Sequence, residues 1–232
     1  MPKTAVIIPA FNEEKSIGMV INAIPRGSVH ETIVVNNNST DSTAEVAENA
    51  GATVLLETEK GYGAACLKGI NYLSGKGFDV VVFLDGDYSD YPEEMLPMIK
   101  LIEKENYDFV LGSRRMGIRE KGALPFQSQI GSIIAGFLIK LFWGYRFTDL
   151  GPFRAIKYDK LLELNMTDRW FGWTVEMQIK AADNKYNTIE IPVSYRKRIG
   201  KSKVTGTLKG TVMASIIILS TIFKYSLKKL KI

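Results

Sequence analysis

Short apolar runs alternate with segments of helical period through the first half of the chain. The runs lack regular polar alternation, so we interpret each as a strand that is buried on both faces. They are residues 5–9, 32–35, 53–56, 79–84 and 108–112. Apolar residues recur at helical spacing between them. This pattern predicts an α/β fold with a mostly parallel sheet and helices on both faces.

Capping patterns mark several of the predicted helix starts. Asn12 is predicted to cap a helix that begins at Glu13. Residues 42–45, Ser-Thr-Ala-Glu, form a capping-box pattern before the second helix. Pro92 suits the first turn of a later helix, and the preceding Asp90 is predicted to be a helix-start residue.

The second half of the chain has longer apolar segments and a basic loop. Its predicted elements are helices at 126–143 and 173–182, strands at 153–156 and 189–195, a basic loop at 195–203 and a final apolar helix. We therefore predict one main domain in residues 1–203, followed by an apolar and lysine-rich helix in residues 204–232.

Composition supports one globular domain and excludes several kinds of site. Of the 232 residues, 46% are hydrophobic and 24% are charged, which is enough apolar material for a core. The single cysteine, Cys66, excludes an internal disulfide and a cysteine-built zinc site. The single histidine, His30, argues against a histidine-built metal centre or a Ser-His-Asp triad. Catalysis is therefore expected to depend on carboxylates, cations, hydroxyls or a metal ion held by carboxylates.

Polar residues collect just after several predicted strands. They are Asn12 with Glu13, the stretch 36–41, and Asp85 with Asp87. Ligands of open parallel sheets bind at the carboxyl ends of the strands, so we expect these residues to form one site. Residues i and i+2 of an extended chain lie on the same side, ~6.5–7 Å apart, so Asp85 and Asp87 can face one ligand. Mg²⁺ favours one or two carboxylates together with substrate phosphates. Asp85 and Asp87 are therefore predicted to hold Mg²⁺ or Mn²⁺ and a diphosphate.

Several motifs occur in an order and spacing that indicate a family. They are VIIPAFNEE (6–14), NNNSTDST (36–43), GYGAACLKGI (61–70), FLDGDYSDYP (83–92), LGSR (111–114), TDLGPFRAI (148–156) and RIGKSK (198–203). The chain resembles a family 2 glycosyltransferase with the GT-A fold. Within that family it is similar to the dolichol-phosphate mannosyltransferase and polyprenyl-phosphate glycosyltransferase branch. The resemblance implies an inverting transfer of a sugar from a nucleotide diphosphate sugar, a UDP- or GDP-sugar.

The resemblance assigns a donor site. It implies that Pro9, Phe11 and Glu13 hold the nucleotide base and ribose, and that Gly61 and Gly63 line the nucleotide pocket. It also supports Asp85 and Asp87 as the metal and diphosphate residues.

Three positions depart from the family pattern. Asn36 and Asn37, which are also assigned to the donor site, stand where relatives usually carry aspartate. Because asparagine both donates and accepts hydrogen bonds, the base preference of those relatives cannot be carried over. Ser89 stands where the dolichol-phosphate enzymes often carry glutamine, so the role of this position is left open.

Basic residues are implied to bind the phosphates. Arg114 matches an arginine that faces the acceptor phosphate in the polyprenyl-phosphate branch, although a plain surface position is the alternative. A further basic residue expected within 127–132 is missing. The loop residues implied to close over the diphosphate are Arg198, Lys201, Ser202 and Lys203.

The acceptor is left open between a phosphate and a hydroxyl. Asp149 is implied to lie beside the sugar and the acceptor, or else to form a buried ion pair with Arg154. A hydroxyl acceptor benefits from a general base, for which Asp149 and Glu176 are the candidates, whereas a phosphate is already anionic and needs none. Glu176 lies in an otherwise apolar helix, where a carboxylate needs a partner or a function.

The net charge of +5 and the C-terminal segment bear on where the protein acts. The last nine residues carry four lysines, which anionic lipid head groups attract. The uncharged run before them is too short to span a bilayer. No signal sequence is predicted. We therefore expect a cytoplasmic protein that is peripheral on the cytoplasmic face of the membrane and that binds no nucleic acid.

The predicted function is metal-dependent transfer of a sugar to a lipid-linked polyprenyl or dolichyl phosphate. The candidate catalytic residues are Asp87, Asp149, Glu176 and Arg198. The alternatives are transfer to a hydroxyl on a sugar or small molecule, a nucleotidyltransferase, and a non-catalytic nucleotide-sugar-binding module. No glycine-rich, arginine-containing phosphate loop follows the first strand, which disfavours the nucleotidyltransferase, and the intact Asp-x-Asp motif disfavours the module.

Overall fold

A seven-stranded sheet forms the centre of the computed structural model, which describes residues 2–200 and 208–230. The strands are β1 (Thr4–Ala10), β2 (Glu31–Asn36), β3 (Thr53–Leu56), β4 (Val80–Phe83), β5 (Phe109–Ser113), β6 (Arg154–Lys157) and β7 (Thr188–Pro192). Their order is β3-β2-β1-β4-β6-β5-β7. β6 runs antiparallel to β4 and β5, and the other neighbouring pairs are parallel. The predicted mostly parallel α/β sheet is confirmed.

Helices cover both faces of this sheet. They are α1 (Ile17–Ala23), α2 (Thr43–Asn49), α3 (Tyr62–Tyr72), α4 (Met95–Glu105), α5 (Phe126–Trp143), α6 (Tyr158–Glu163), α7 (Trp173–Asp183) and α8 (Leu208–Leu230). A 3₁₀ turn at Pro92–Glu94 leads into α4, as the position of the proline predicts.

The core consists of two apolar layers, one on each face of the sheet. Neighbouring residues of a strand point to opposite faces, so Ile7 packs in one layer and Ile8 in the other. Helices α3, α5 and α7 contribute to the layer of Ile7, and helices α1, α2 and α4 contribute to the layer of Ile8. Burial on both faces explains why the strands read as continuous apolar runs.

The predicted start of α1 was wrong. The helix begins at Ile17 rather than Glu13, and Asn12 has a φ of 54°, which is not the extended backbone of an N-cap. Instead, Oδ1 of Asn12 accepts a hydrogen bond from the backbone N of Thr40 (2.8 Å). The backbone N of Glu13 donates to Oγ1 of Thr43 (2.8 Å). Asn12 therefore fastens the loop after β1 to the loop after β2, which brings two parts of the predicted site together.

Helix α2 begins at Thr43, as predicted, but the capping box is not formed. The Ser42 side chain makes no capping hydrogen bond. Oδ1 of Asp41 accepts a hydrogen bond from the backbone N of Thr43 (3.0 Å) in its place. The carboxylate of Asp41 thus accepts a hydrogen bond from a backbone N–H group at the start of this helix, which would otherwise lack a partner within the helix.

Helices α5 and α8 pack against each other at one side of the domain, and α8 also packs on α7. Ile222 of α8 is fully buried, and the rings of Phe142 and Phe223 meet edge to face at 6.4 Å. The outward faces carry exposed apolar side chains, among them Phe137 (63% exposed) and Ile216 (60%). Within the part of the chain that the structure describes, α5 is the one helix whose length and composition would allow it to cross a membrane.

Candidate active site

A cavity of about 310 Å³ lies where the carboxyl ends of β1, β2 and β4 meet. It is bordered by eight residues that the sequence assigned to the site, namely Pro9, Phe11, Glu13, Asn37, Gly61, Asp85, Asp87 and Arg198. We call it the donor cavity. Strand order explains the convergence, because β1 lies between β2 and β4 in the sheet.

Both oxygens of the Asp87 carboxylate are engaged within the donor cavity. Oδ1 accepts hydrogen bonds from the backbone N of Ser89 (2.9 Å) and from the Ser89 hydroxyl. Oδ2 forms an ion pair with the Arg198 guanidinium. The carbonyl oxygen of Asp87 also accepts a hydrogen bond from the backbone N of Ile199 (2.9 Å). Ser89 therefore orients Asp87, which gives a physical role to a position that the sequence left open.

Asp85 is the carboxylate with an unsatisfied atom in this cavity. Its Oδ1 is buried and has no hydrogen-bond partner among the residues that the structure describes. Burial, and next the charge of Asp87, raise the pKa of Asp85 to about 7. A divalent cation would satisfy the buried oxygen and neutralise the repulsion between the two carboxylates. Asp85 and Asp87 therefore fit Mg²⁺ or Mn²⁺.

The two aspartates would supply only part of a metal coordination shell. In residues 2–200 and 208–230 no cluster of three or more His, Cys, Asp or Glu residues is arranged to hold a metal ion. Mg²⁺ commonly takes one or two carboxylates and completes its shell with substrate phosphates and water. The donor set thus suits a metal that binds together with a diphosphate.

Asp90 is not a helix-start residue, so this prediction was wrong. It is 2% exposed, and within residues 2–200 and 208–230 neither carboxylate oxygen has a hydrogen-bond partner. Burial, and next the charges of Asp85 and Asp87, raise the pKa of Asp90 well above its usual range. Burial and the two neighbouring carboxylates thus both favour the uncharged form of the Asp90 side chain.

Asn37 braces the loop that precedes α3. Its Nδ2 donates to the carbonyl oxygens of Glu57 (3.1 Å) and Glu59 (2.6 Å), and its Oδ1 accepts from the backbone N of Gly61 (2.8 Å). An aspartate could not donate the first two bonds, which is a physical reason for the departure from the family pattern. Asn36 does not border the donor cavity; its Oδ1 accepts a hydrogen bond within its own turn.

Gly61 and Gly63 are required by a close backbone approach. A Cβ atom on Gly61 would lie 2.1 Å from the carbonyl oxygen of Arg169, and one on Gly63 would lie 2.1 Å from that of Asp168. Gly61 also has a φ of +148°. Gly63 does not border the cavity, so its contribution is to let the segment that contains Asp168 and Arg169 pack against the start of α3.

Besides Ala10, Ala65 and Gly86, four residues with large side chains border the donor cavity and were not assigned to the site from the sequence. They are Lys60, Tyr62, Trp170 and Phe171. Trp170 and Phe171 come from the connection between α6 and α7, which has no strand to place it at the sheet edge. The two adjacent aromatic residues were the one feature of this loop that could have indicated a binding surface. Their position depends on the close packing of Gly61 and Gly63 against Asp168 and Arg169.

A second cavity, of about 280 Å³, adjoins the first. We call it the acceptor cavity. Tyr62, Asp85, Phe171 and Arg198 border both cavities. The acceptor cavity extends past Arg114 and ends between α5 and α8, where its lining includes Gln127, Ser128, Ser132, Ala214, Ser215 and Ile218.

Arg114 is fixed in the acceptor cavity by Asp149. Its Nε lies 2.7 Å from Oδ2 of Asp149, its Nη2 lies 2.8 Å from Oδ1, and its backbone N donates to Oδ2 (3.0 Å). The Ser132 hydroxyl donates to Oδ1 (3.1 Å). Burial would raise the pKa of Asp149, but the charge and hydrogen bonds of Arg114 outweigh it and lower the pKa to about 2. Asp149 is therefore ionised at neutral pH, where it supports Arg114.

The predicted alternative of an Asp149–Arg154 ion pair was wrong. The Arg154 guanidinium is fully buried and donates to the carbonyl oxygens of Gly151 and Thr174. Burial is the largest influence on Arg154 and lowers its pKa to about 10. Arg154 thus holds the backbone of the turn, while Asp149 points to Arg114.

The family model for glycosyl transferase family 2 matches residues 5–164. The chain belongs to this family. An uncharacterized glycosyltransferase of Mycobacterium tuberculosis is 33% identical over 212 residues, which cover 90% of this chain and 93% of the relative. A dolichyl-phosphate hexose transferase of Haloferax volcanii is 30% identical, with 92% of each chain covered. An undecaprenyl-phosphate mannosyltransferase of Micrococcus luteus is 27% identical, again with 92% of each chain covered.

The fold of this glycosyltransferase also occurs in a solved enzyme. Glucosyl-3-phosphoglycerate synthase from Mycobacterium tuberculosis, in complex with Mn²⁺, UDP-glucose and phosphoglyceric acid, matches with a TM-score of 0.76. The match covers 97% of this chain and 80% of the synthase, at 21% sequence identity. The predicted GT-A fold is confirmed.

The structure does not support Glu176 as a general base of the glycosyltransferase. Glu176 is 1% exposed and borders neither the donor nor the acceptor cavity. Its carboxylate accepts hydrogen bonds from the backbone N atoms of Thr167 and Asp168, from the Tyr225 hydroxyl, and from Lys180. Burial would raise the pKa of Glu176, but these partners outweigh it and hold the pKa below its usual range. Glu176 thus has the hydrogen-bond partners that a buried carboxylate requires, and its role here is structural.

The first residues of the basic loop bind the segment that contains Asp87 and Asp90. The Arg196 guanidinium donates to the carbonyl oxygens of Tyr88 (2.6 Å) and Asp90 (2.9 Å) and lies 3.4 Å from the centre of the Tyr88 ring. Arg198 then reaches Asp87. The other three residues predicted for this loop lie outside the described residues: Lys201, Ser202 and Lys203.

Proposed function

We propose that this glycosyltransferase moves a sugar from a UDP- or GDP-sugar to a lipid-linked polyprenyl or dolichyl phosphate. The observation that carries the proposal is the meeting of the donor and acceptor cavities at Asp85 and Arg198. One cavity contains the acidic pair, and the other ends between two apolar helices. A nucleotide sugar in the first and an amphiphilic acceptor in the second would meet at the shared residues.

The donor cavity supplies groups for each part of the nucleotide sugar. Pro9, Phe11 and Asn37 are proposed to contact the base and ribose. Asp85 and Asp87 would hold Mg²⁺ or Mn²⁺, which neutralises charge on the departing diphosphate. The presence of Mn²⁺ and UDP-glucose in the structurally similar synthase supports this donor class.

The basic loop is proposed to assist departure of the diphosphate. Arg198 donates hydrogen bonds to the oxygen that gains charge as the bond to the sugar breaks. Lys201, Ser202 and Lys203 are proposed to add donors to the same group. The Arg198 guanidinium pairs with Asp87, so donor binding would exchange one anionic partner for another.

The acceptor phosphate is proposed to bind Arg114. A phosphate oxygen attacks the anomeric carbon from the side opposite the diphosphate, a new carbon–oxygen bond forms, and the nucleoside diphosphate leaves with the electron pair of the broken bond. The configuration at the sugar is inverted, and no proton has to be removed from the acceptor.

Two carboxylates bear on the choice between a phosphate and a hydroxyl acceptor. Asp149 and Glu176, the candidate general bases, are both buried, hydrogen-bonded and low in pKa. This favours an acceptor that needs no base. The names of the undecaprenyl-phosphate and dolichyl-phosphate transferases among the relatives support the same acceptor class.

Action at a membrane surface is proposed on the basis of α5 and α8. Their outward faces expose large apolar side chains, including Phe137, Leu141 and Ile216, and other residues of the same two helices border the acceptor cavity. Such faces suit burial at the boundary between lipid head groups and acyl chains. We propose that residues 1–203 form the main glycosyltransferase domain and that residues 204–232 lie at the cytoplasmic face of the membrane, with Ala214, Ser215 and Ile218 of this segment completing the acceptor cavity.

A donor and acceptor screen tests the proposed function. Purified enzyme is incubated with radiolabelled UDP- and GDP-sugars, Mg²⁺ or Mn²⁺, and either undecaprenyl phosphate in detergent or water-soluble acceptors. We expect label in the organic phase and one nucleoside diphosphate released per sugar transferred. Label found only in water-soluble products would contradict the lipid acceptor, and release of pyrophosphate would indicate a nucleotidyltransferase.

The variant Asp87→Asn tests the role of the acidic pair in the same assay. It should lose transfer because one of two metal carboxylates becomes neutral. Asp159→Asn, which changes an exposed aspartate in α6, should transfer at the wild-type rate. Equal rates for Asp87→Asn and the wild type would refute the metal and diphosphate assignment.

A further inference from the structure

We infer that a third cavity, on the outer side of α5, binds the phosphate head group of an anionic membrane phospholipid. This cavity has a volume of about 530 Å³ and shares no residue with the donor or acceptor cavity. We call it the head-group cavity. The inference rests on the proposed action at a membrane surface and adds a lipid site that is separate from the acceptor site.

The charge of the head-group cavity is entirely positive. Arg115, Lys140 and Arg146 border it, and no carboxylate of the described part of the chain does. Across the described parts of the chain, none of these three cations forms an ion pair with a carboxylate. Three cations without a counterion suit a phosphate, which offers several acceptor oxygens.

Arg115 is held in a fixed orientation at one side of this cavity. One of its terminal nitrogens, Nη1, donates to the carbonyl oxygen of Thr148 (2.8 Å). The remaining donors of its guanidinium are available to an anion. Lys140 and Arg146 are exposed side chains, so they can approach a head group from solvent.

An apolar stripe of α5 adjoins the three cations. Ile133, Phe137 and Leu141 lie four residues apart, on one face of the helix, and they border the same cavity. They are 49%, 63% and 64% exposed. A soluble phosphate would leave this stripe in water, whereas a phospholipid would cover it with an acyl chain while its phosphate meets the cations. The combination therefore favours a lipid over a free anion.

The position of the cavity suggests what the lipid would do. Arg115 and Thr148 each adjoin, in sequence, one member of the Arg114–Asp149 pair that faces the acceptor cavity. A phospholipid held on the outer side of α5 would fix this helix in the membrane surface with the acceptor cavity turned towards the lipid. The phosphate of polyprenyl phosphate could then enter the acceptor cavity while its lipid chain stays in the membrane.

Vesicle sedimentation tests the inference with two charge-matched variants of the full chain. Lys140→Gln combined with Arg146→Gln removes two cations from the head-group cavity. Lys100→Gln combined with Lys104→Gln removes two exposed cations from α4, which packs on the opposite face of the sheet. Each protein is mixed with phosphatidylcholine vesicles or with equimolar phosphatidylcholine and phosphatidylglycerol vesicles.

The wild type should prefer the vesicles that contain phosphatidylglycerol. Each cation at an anionic membrane surface strengthens partition about fivefold, so the cavity variant should lose about 25-fold of this preference. The α4 variant should keep it. Equal losses in the two variants would indicate diffuse attraction to net charge and would overturn the inference. Displacement by sodium phosphate, but not by sodium chloride of equal ionic strength, would indicate a soluble-anion site and would also overturn it.

Transfer to undecaprenyl phosphate in zwitterionic detergent, without phospholipid, separates this inference from the proposed function. The cavity variant should transfer sugar there at the wild-type rate. If transfer occurs but the vesicle preferences of the two variants coincide, the head-group cavity is refuted and the proposed function stands. If no protein transfers sugar to the lipid, the proposed function fails, and the vesicle comparison still decides whether the head-group cavity binds phospholipid.

Discussion

The Tyr225 hydroxyl of α8 donates a 2.6 Å hydrogen bond to the Glu176 carboxylate of α7. Glu176 also accepts hydrogen bonds from the backbone N atoms of Thr167 (3.1 Å) and Asp168 (2.7 Å). The chain then continues directly to Trp170 and Phe171, which border the donor cavity. The helix that we propose to lie at the membrane is thus connected to a wall of the donor cavity through one carboxylate.

Replacing Tyr225 by phenylalanine should weaken binding of the nucleotide sugar. The change removes a hydrogen bond to a charged group, which is worth about 1.5–3 kcal/mol, and loosens the segment that carries Trp170 and Phe171. We expect donor affinity to fall about tenfold in calorimetric titration. Tyr72→Phe is the matched control, because the Tyr72 hydroxyl also donates a 2.6 Å hydrogen bond to a glutamate, Glu31, away from the cavity. The same loss of affinity in both variants would argue against the connection.

Replacing Arg198 by alanine should separate metal binding from catalysis. Asp87 loses the cation that now neutralises it, so Mn²⁺ should bind the donor-free enzyme more tightly in a paramagnetic-resonance titration. The transfer rate should fall by about 10²–10³-fold, because a donor to the departing diphosphate is removed. Lys197→Ala, a change of the exposed neighbouring cation, should alter neither quantity. Weaker Mn²⁺ binding in Arg198→Ala would contradict the competition between guanidinium and metal.

The Arg114–Asp149 pair should make stability depend on pH in the acid range. The pKa of Asp149 is about 2 in the folded state and close to 3.8 in the unfolded state, so the stabilisation is complete above the unfolded value. It is lost as the pH falls through the folded value. The shift corresponds to about 2 kcal/mol. Urea unfolding gives the free energy of unfolding of the wild type and of Asp149→Asn. The difference between the two proteins should be about 2 kcal/mol smaller at pH 2 than at pH 5. A difference that does not change with pH would contradict the low pKa.

Replacing Gly63 by alanine should displace the wall of the donor cavity without changing any residue that borders it. The new Cβ would lie 2.1 Å from the carbonyl oxygen of Asp168, so the backbone there must move. We expect a loss of about 1–3 kcal/mol in unfolding free energy and weaker donor binding. Gly131→Ala in α5 meets nothing within 4 Å and should instead stabilise the protein by about 0.5–1 kcal/mol. Unchanged donor affinity in Gly63→Ala would show that the contact is dispensable.

The sequence predicted the strands well because burial on both faces leaves a continuous apolar run. It also placed Asp85, Asp87 and Asn37 together, since parallel strands deliver their carboxyl ends to one edge. The antiparallel direction of β6 was not predictable, because a short buried run reads the same in either direction.

Long-range partners account for the errors at the site. An ion pair of Asp149 with Arg154, its neighbour in the motif, was one of two predicted alternatives, but Asp149 binds Arg114, which lies 35 residues away in the chain. Glu176 was correctly singled out as a buried carboxylate that needs a partner. Its partner Tyr225 lies in a helix whose docking on α7 the sequence pattern does not indicate. Local spacing reveals which groups are present, whereas the fold decides which of them meet.

The docking of α8 has a practical consequence for any attempt to simplify this enzyme. Residues Ala214, Ser215 and Ile218 border the acceptor cavity, and Tyr225 supports the donor side. A shortened protein without this helix would lack part of its active site, so its inactivity would say nothing about lipid attachment. Polar substitutions at the exposed positions Phe137 and Ile216 are expected to keep α8 in place, because they change side chains that border neither the donor nor the acceptor cavity. They test the proposed membrane contact in a protein that retains every residue of its active site.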